Sequence, residues 1–372
     1  AAAPAEVDNE VAQKQSKQKA SAKKAAAPAE GENEVAQKPV RTKASTKKAA
    51  PPAEGEAEVV QKASVTPEGE ELMLVDAHAC LYASYHATVK YELRNERGEP
   101  TGAILGFANT IRAFLRELPA THFAVMFDSQ GSANKRKELL PQYKEHRGEM
   151  PDELKQQIVK AKEMCDAFGW RYQEEAGYEA DDLIHTFAES ASKKMRVHIV
   201  SPDKDLAQLV GPNVVLHRET KKPTSEMTAE QVEKKWGVRP DQLGDYLAMS
   251  GDVSDGIPGV PGIGPTIARK LLQQHETLEL VIEAAENDAP LPFRVPKKIN
   301  VALVENKEHV RLMRKVVALQ TVPGVAKGKF LEELRIPEFD NDRLKRALEF
   351  CEKEDMSQVA ARLEIEYAEK AR

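Results

Sequence analysis

Three short apolar runs, each followed within three residues by an aspartate, limit the folds open to this chain. Leu72-Met73-Leu74-Val75 runs into Asp76, Phe123-Ala124-Val125-Met126-Phe127 into Asp128, and Val197-His198-Ile199-Val200 leads to Asp203. Each run is short and nearly continuous in apolar character, so it reads as a buried strand. Helical patterns separate them. Pro151-Asp152-Glu153 opens one, with proline in the first turn, acids at its positive end, and Leu154, Ile158, Ala161 and Cys165 on one face. Ala180 to Ala191 reads as another. Alternating strands and helices predict an α/β fold with a mainly parallel central sheet and helices on both faces. From about residue 226 the reading is helical to the end.

In an open parallel sheet the carboxyl ends of the strands line a crevice, so acids at those ends converge from distant sequence. Nine carboxylates qualify: Asp76, Asp128, Glu179, Asp181, Asp182, Asp203, Asp205, Asp252 and Asp255. Gathered in one place they repel unless cations lie between them. Donors that are all oxygen suit hard cations, Mg²⁺ first and Mn²⁺ as the alternative, and disfavour Zn²⁺. The pattern predicts metal-dependent phosphate chemistry.

Composition removes other classes. No apolar run approaches the roughly 20 residues of a membrane span. Cys80, Cys165 and Cys351 are far apart and unpaired in spacing, which argues against a disulfide framework or zinc ribbon. The net charge of −6 arises wholly after residue 70, because residues 1–70 hold eleven Lys/Arg and eleven Asp/Glu. Divalent ions among nine acids would cancel much of it, so a polyanionic substrate is not excluded.

Residues 1–62 repeat with a period of 24: Ala3-Pro4-Ala5-Glu6 through Gln13-Lys14 recurs at Ala27 through Lys38 and again at Pro51 through Lys62. The repeats hold almost no large apolar residue, so they are expected to be a disordered tether rather than a solenoid. The chain does not start with Met, and its Lys-, Ala- and Ser-containing N-terminus suits the region after a cleaved organellar transit peptide. A chloroplast is expected ahead of a mitochondrion, with a bacterial cytoplasm as the alternative.

Three motifs carry the chemistry. Gly177-Tyr178-Glu179-Ala180-Asp181-Asp182 puts three acids at a helix start, more than the helix dipole calls for. In Ser201-Pro202-Asp203-Lys204-Asp205 the i, i+2 spacing sends both carboxylates to one side of an extended chain, although a surface turn would also use these residue types. In the block from Gly251 to Ala268, Gly259, Gly262 and Gly264 permit a tight turn into a helix beginning near Pro265. Its free N–H groups, beside Thr266, suit a backbone phosphate. Such a clamp is blind to base sequence.

Together these residues resemble the 5′ nuclease (flap endonuclease) family, most closely the 5′→3′ exonuclease domain at the N-terminus of bacterial DNA polymerase I. The resemblance runs from about residue 71 to 365. It includes Leu74-Val75-Asp76, Gly98-Glu99-Pro100-Thr101-Gly102, Phe127-Asp128, Tyr143-Lys144 with Arg147, Met150-Pro151-Asp152, Glu179-Ala180-Asp181-Asp182, Asp203 to Val210 and the Gly251 to Ala268 block. It implies two or more Mg²⁺ ions on the acids and a helix-turn-helix clamp holding DNA and a monovalent cation, K⁺. It also implies an arch whose basic residues grip the 5′ strand. Asp76, Asp128, Glu179 and Asp181 are assigned to the first metal; Asp182, Asp203, Asp205 and Asp255 to the second; Asp252 to either or to the surrounding shell. Lys144 and Arg147 are expected to orient the scissile phosphate, and Tyr143, Arg136, Gly259, Gly262, Gly264 and Thr266 to contact DNA. The sequence departs from the family where an Arg is usual, at Ala83, and in the arch, where Lys135-Arg136 and Gly148-Glu149 stand for an aromatic-Arg pair and Pro-Pro.

The expected organisation is a repeat tail (1–70), a catalytic α/β domain (71–225) and a helical clamp region (226–372), standing alone without a polymerase. The expected activity is two-metal hydrolysis of DNA at 5′ flaps, nicks or ends, with RNA–DNA hybrids as a further substrate. Two rival readings stand beside it: a binding protein of the same fold with weakened cleavage, favoured by Ala83, the altered arch and the long tail and opposed by the complete acid set, and a PIN-like ribonuclease, disfavoured by the Gly-rich clamp.

Overall fold

A computed structural model describes residues 69–292 and 295–370; the repeat of residues 1–62 lies outside them. Five parallel strands form the sheet: β1 (Glu71–Asp76), β2 (His122–Met126), β3 (Tyr172–Gln173), β4 (Arg196–Val200) and β5 (Val214–His217), in the order β3-β2-β1-β4-β5. The expected α/β class is the observed one. Strands are added outward from β1 in one direction, then in the other, so the crevice of the switch point opens at the end of β1, where Asp76 sits.

Side chains alternate across the sheet and so feed two cores. Leu72 and Leu74 join Leu183, Ile184 and Phe187 on one face. Met73 and Val75 join Ile104, Phe107 and Ile111 on the other. Burying each such side chain contributes roughly 1.5–3 kcal/mol, and that requirement fixes the register of β1 between its two neighbours.

The Met73 face is covered by α1 (Ala77–Thr88), α2 (Gly102–Glu117) and, beyond the short α3 (Asn134–Leu139), by α4 (Asp152–Phe168). Helices α1 and α2 approach closely: a Cβ on Gly106 would lie 2.7 Å from that of Ser84. The Leu74 face is covered by α5 (Ala180–Ala191), which starts with a reciprocal cap between Glu179 and Asp182.

The chain is then helical: α6 (Ala229–Trp236), α7 (Leu243–Ser250), α8 (Pro265–His275), α9 (Leu278–Glu286), α10 (Lys298–Glu305), α11 (Lys307–Val317), α12 (Phe330–Leu334), α13 (Asn341–Lys353) and α14 (Ser357–Lys370). The segment from α6 to α12 extends the Leu74-side core. Helices α13 and α14 return to the opposite side, placing Ala347, Phe350, Cys351 and Val359 against α2 and α4. Their junction is pinned by Glu354, which is fully buried and receives Lys160, Arg97 and Asn95. The last strand ends at His217 and α6 begins at Ala229, while the Leu74-side core continues from one to the other. Among the described residues no helix is long and apolar enough to cross a membrane.

Candidate metal centre

The end of β1 turns directly into α1, and Asp76 caps that helix: its Oδ1 accepts from the Ala79 amide at 3.0 Å and its Oδ2 from the Ser201 hydroxyl at 2.7 Å. Burial, then the facing Asp128, pushes its carboxyl up to about 7. Asp128, just past β2, accepts from the Ala180 amide at 2.7 Å, which ties β2 to the start of α5. Its own amide donates to His78 Nδ1 at 3.0 Å, so that nitrogen carries the lone pair.

Asp181 is held well above the ordinary carboxylate range by burial, by Asp203 and by Asp76. Asp205 is pushed up to about 7 by burial and by Asp203. Ser201 organises this turn, since its Oγ also accepts from the Asp203 amide at 3.0 Å. Oxygens of Asp205, Asp252 and Asp255 lie within 4.8 Å of one another. The latter two arrive on the loop between α7 and α8, closed by paired backbone bonds of 2.8 Å between Asp252 and Ile257. That loop needs glycine where its strands meet: a Cβ on Gly259 would stand 2.5 Å from the Gly251 nitrogen.

Cations sort the acids into two kinds. Burial alone would raise Glu179, but Lys144 (2.6 Å) and Arg136 (2.6 Å) hold it below its usual value. Lys204, at 2.6 Å, overcomes burial at Asp252 in the same way. Asp76 has no such partner, and at Asp181 and Asp205 the cations Lys144 and Lys204, the latter 3.5 Å from Asp205 Oδ1, do not overcome burial and the neighbouring aspartates, so all three are driven towards the protonated form. Asp205 Oδ1 is buried without a hydrogen-bond partner. A divalent cation would supply the missing charge, and an all-oxygen donor set fits a hard ion.

Lys144 has φ +56°, and its amide donates to the Asp255 carbonyl at 2.9 Å, so the segment after α3 is stitched to the α7–α8 loop. Arg147 Nη2 reaches Asp255 Oδ1 at 2.5 Å while half its side chain stays in solvent. Both lie beside the acids.

Three expected residues are placed differently. Asp182 has both oxygens engaged, by Arg136 Nη2 at 2.7 Å, Arg136 Nη1 at 3.0 Å and the Gln320 amide at 2.8 Å, so it faces the interior rather than a metal. Arg136, expected to grip DNA, is 4% exposed and spends its remaining donors on the Val316 and Ala318 carbonyls. A charge buried this deeply requires paired partners, and Glu179 and Asp182 are those partners. Tyr143 is also buried, its hydroxyl between Glu179 (3.2 Å) and Asp255 (3.1 Å), where it positions acids rather than meeting DNA. Lys135, next to Arg136, lies over the Tyr178 ring, 3.0 Å from its centroid.

The Gly-rich loop leads into α8 as expected. Gly262 has φ +83°, Gly264 is the N-cap, Pro265 occupies the first turn, and Thr266 is exposed, leaving the helix N-terminus open. Sequence reasoning gave no role to His78, Ser201 or Lys204. Ser201 and Lys204 flank Asp203 within a motif already singled out, and a Ser two residues before an Asp is a known local hydrogen-bonding arrangement.

Comparison with known proteins agrees with this geometry. The family described as 5'-3' exonuclease, N-terminal resolvase-like domain, matches residues 71–237, and its C-terminal SAM fold matches 238–342. The DNA polymerase I of Borreliella burgdorferi is 36% identical over 277 residues, covering 74% of this chain and 28% of that protein; the chain thus spans under a third of the polymerase relatives it matches. The 5'-3' exonuclease of Aquifex aeolicus is 34% identical over 284 residues, covering 76% of this chain and 92% of that one. In structure the chain shares its fold with the bacteriophage T5 5'-exonuclease solved with divalent metal ions (zinc), at a TM-score of 0.56 and 20% identity over 67% of this chain and 90% of the other. It likewise resembles the catalytic core of Rad2 with DNA substrate, at a TM-score of 0.51 and 16% identity, over 79% and 92%. With a parallel sheet feeding acids into one crevice, a helical region completing it, and a relative matched over nearly its whole length, the chain belongs to the 5'-3' exonuclease family.

Proposed function

We propose that this protein is a Mg²⁺-dependent, structure-selective 5′ nuclease acting on DNA flaps, nicks or ends. The observation that carries the reading is the linked set of acids from five separate segments, with Lys144 and Arg147 on its edge and an open helix N-terminus on the loop that supplies Asp252 and Asp255. Asp76, Asp128, Glu179 and Asp181 would hold one ion, and Asp203, Asp205, Asp252 and Asp255 a second. Bound there, a metal pair would supply a hydroxide nucleophile and stabilise the leaving oxygen.

The chain's own residues do the rest. Ser201 and the Ala79 amide fix the rotamer of Asp76, and the Ala180 amide fixes Asp128. Lys144 and Arg147, drawn to Glu179 and Asp255, are the cations able to turn to a phosphate and offset charge developing on it. The α8 N-terminus, from Gly262 to Thr266, would hold backbone phosphates of the duplex through its amides, with K⁺ as the accompanying cation. The sequence of residues 1–62 favours an organellar setting, a chloroplast first, with a bacterial cytoplasm as the alternative.

The test is cleavage of an end-labelled 5′-flap DNA with Mg²⁺ by wild type and Asp128→Asn, alongside binding of the same DNA in EDTA. Cleavage by wild type alone, with equal binding by both, is expected. Wild-type rates in the variant would remove Asp128 from the ligand set. Absence of cleavage by wild type despite measurable Mg²⁺ binding would leave a DNA-binding protein of nuclease fold, the reading Ala83 favours.

A further inference from the structure

On the Met73 side of the sheet, away from the acids, two histidines from adjacent strands meet in the core. His198 lies in the middle of β4 and His217 ends β5; they are 2% and 0% exposed, and Phe114 of α2 closes over His217 edge-on at 5.2 Å. His198 Nδ1 and His217 Nε2 are 3.0 Å apart. Glu226, on the chain leaving β5, brings a carboxylate oxygen to within 4.8 Å of both rings. The charged neighbours of the pair are Glu71, Arg196 and Glu226, and none of the nine acids of the crevice.

With both rings neutral, the protons of this pair cannot all be satisfied by protein. His198 Nε2 lies 2.6 Å from Glu71 Oε2, so it carries hydrogen and donates. His198 Nδ1 is then a lone pair facing His217. If His217 donates from Nε2, its Nδ1 is a bare, buried lone pair without a hydrogen-bond partner, on the side where the Pro223 carbonyl, also an acceptor, is found. If it carries hydrogen on Nδ1, two lone pairs oppose each other at 3.0 Å. An imidazolium at His198, paired with Glu71 and donating from Nδ1 to His217, satisfies every donor but buries a charged ring, which burial disfavours at His198.

We propose that His198, His217 and Glu226 form a second metal site, separate from the carboxylate centre, that binds one divalent ion of zinc type. An ion between the rings takes both facing lone pairs. Nδ1–H of His217 is then free to donate to the Pro223 carbonyl, and Nε2–H of His198 keeps Glu71 as its orienting carboxylate, the usual outer partner of a metal-bound histidine. Tetrahedral zinc with Zn–N bonds of about 2.0–2.1 Å requires nitrogens roughly 3.3 Å apart, close to the spacing already present. Glu226 reaches the ion with Oε1, since Oε2 receives Arg196 at 2.7 Å. Two imidazoles and one carboxylate suit zinc and leave one position for water, whereas the all-oxygen crevice suits magnesium. The ion would fasten the edge strand β5 and the chain following it to β4.

The experiment is calorimetric titration of the full chain, stripped by chelator, with ZnCl₂ in saturating Mg²⁺ that occupies the carboxylate centre. One zinc equivalent is expected in wild type and in the double variant Asp205→Asn/Asp255→Asn. Glu226→Gln should lose it, and Glu71→Gln, which keeps all three ligands, should weaken it by about 10–100-fold. Should Glu226→Gln fail to fold, Co²⁺ bound to wild type under saturating Mg²⁺ should show the intense visible absorption of a tetrahedral site with nitrogen ligands. The proposal is overturned if zinc binding is absent, if it disappears with the two aspartates and ignores Glu226 and Glu71, or if Co²⁺ gives only the weak spectrum of six oxygens.

Discussion

Replacing Arg136 by methionine should cost stability rather than DNA affinity. Its guanidinium is 4% exposed and pairs with Glu179 (6%) and Asp182 (1%), both largely removed from water. Removing one partner of a buried pair generally costs about 3–5 kcal/mol, because the remaining charge is left uncompensated. Lys144 still pairs with Glu179 and the Gln320 amide with Asp182, so the lower end applies, about 3 kcal/mol. For roughly 300 folded residues that corresponds to a fall in Tm of about 5 °C. Urea melts of wild type, Arg136→Met and Arg136→Met/Asp182→Leu should show the loss, and then partial recovery once the stranded acid is also removed. In parallel, the slope of log K against log salt for duplex binding in EDTA should be unchanged. Unaltered melting together with a slope shallower by about one counterion would refute the reasoning, since that is the signature of a phosphate contact.

Gly259→Ala should destabilise by roughly 1–3 kcal/mol and slow flap cleavage, because its Cβ would stand 2.5 Å from the Gly251 nitrogen and spread the loop bearing Asp252 and Asp255; wild-type melting and cleavage would show that the loop tolerates the shift. Ala83→Arg adds a cation on α1, and if that charge reaches the scissile phosphate, single-turnover cleavage should rise about tenfold, equal to about 1.4 kcal/mol in the barrier; an unchanged rate rules that contact out. The three thiols should resist Ellman's reagent at pH 8 in native protein and react after unfolding. Cys80, Cys165 and Cys351 are buried, and burial pushes Cys351 up to about 11. A raised native pKa keeps the thiol protonated below that value, so reactivity should appear only on unfolding or strongly alkaline titration, and fast native reaction at pH 8 would contradict the burial.

The strands carrying Asp76, Asp128 and Asp203 were legible because burial on both faces forces an uninterrupted apolar run, and the acid that ends it has to lie in the crevice. The helix from Ala180 was legible from its period and its acidic start. The division of labour within Asp181-Asp182 was not. Successive residues on a helix point about 100° apart, so one carboxylate faces the crevice and the next an interior that sequence does not display. Arg136 and Tyr143 were misplaced for a related reason: pattern shows a charge or a hydroxyl near the site, but the Val316 and Ala318 carbonyls that enclose Arg136 lie some 180 residues further along the chain. The His198–His217 pair was hidden because His198 sits inside an apolar run and its partner strand is only four residues long.

The hairpin between α7 and α8 gives the carboxylate centre the logic of an AND gate. Asp76 to Asp205 belong to the sheet and its connections, whereas Asp252 and Asp255 come into place only when that hairpin docks through the Lys144 amide and Arg147. A partly made, partly unfolded or proteolytically clipped chain therefore carries an incomplete cage, with Asp205 lacking its two neighbours. Scission of nucleic acid by a half-built nuclease would be hazardous to the cell that makes it. Because the same loop presents the α8 N-terminus and completes the cage, on the function proposed above the capacity to hold a duplex and the capacity to cut it would both depend on that one loop.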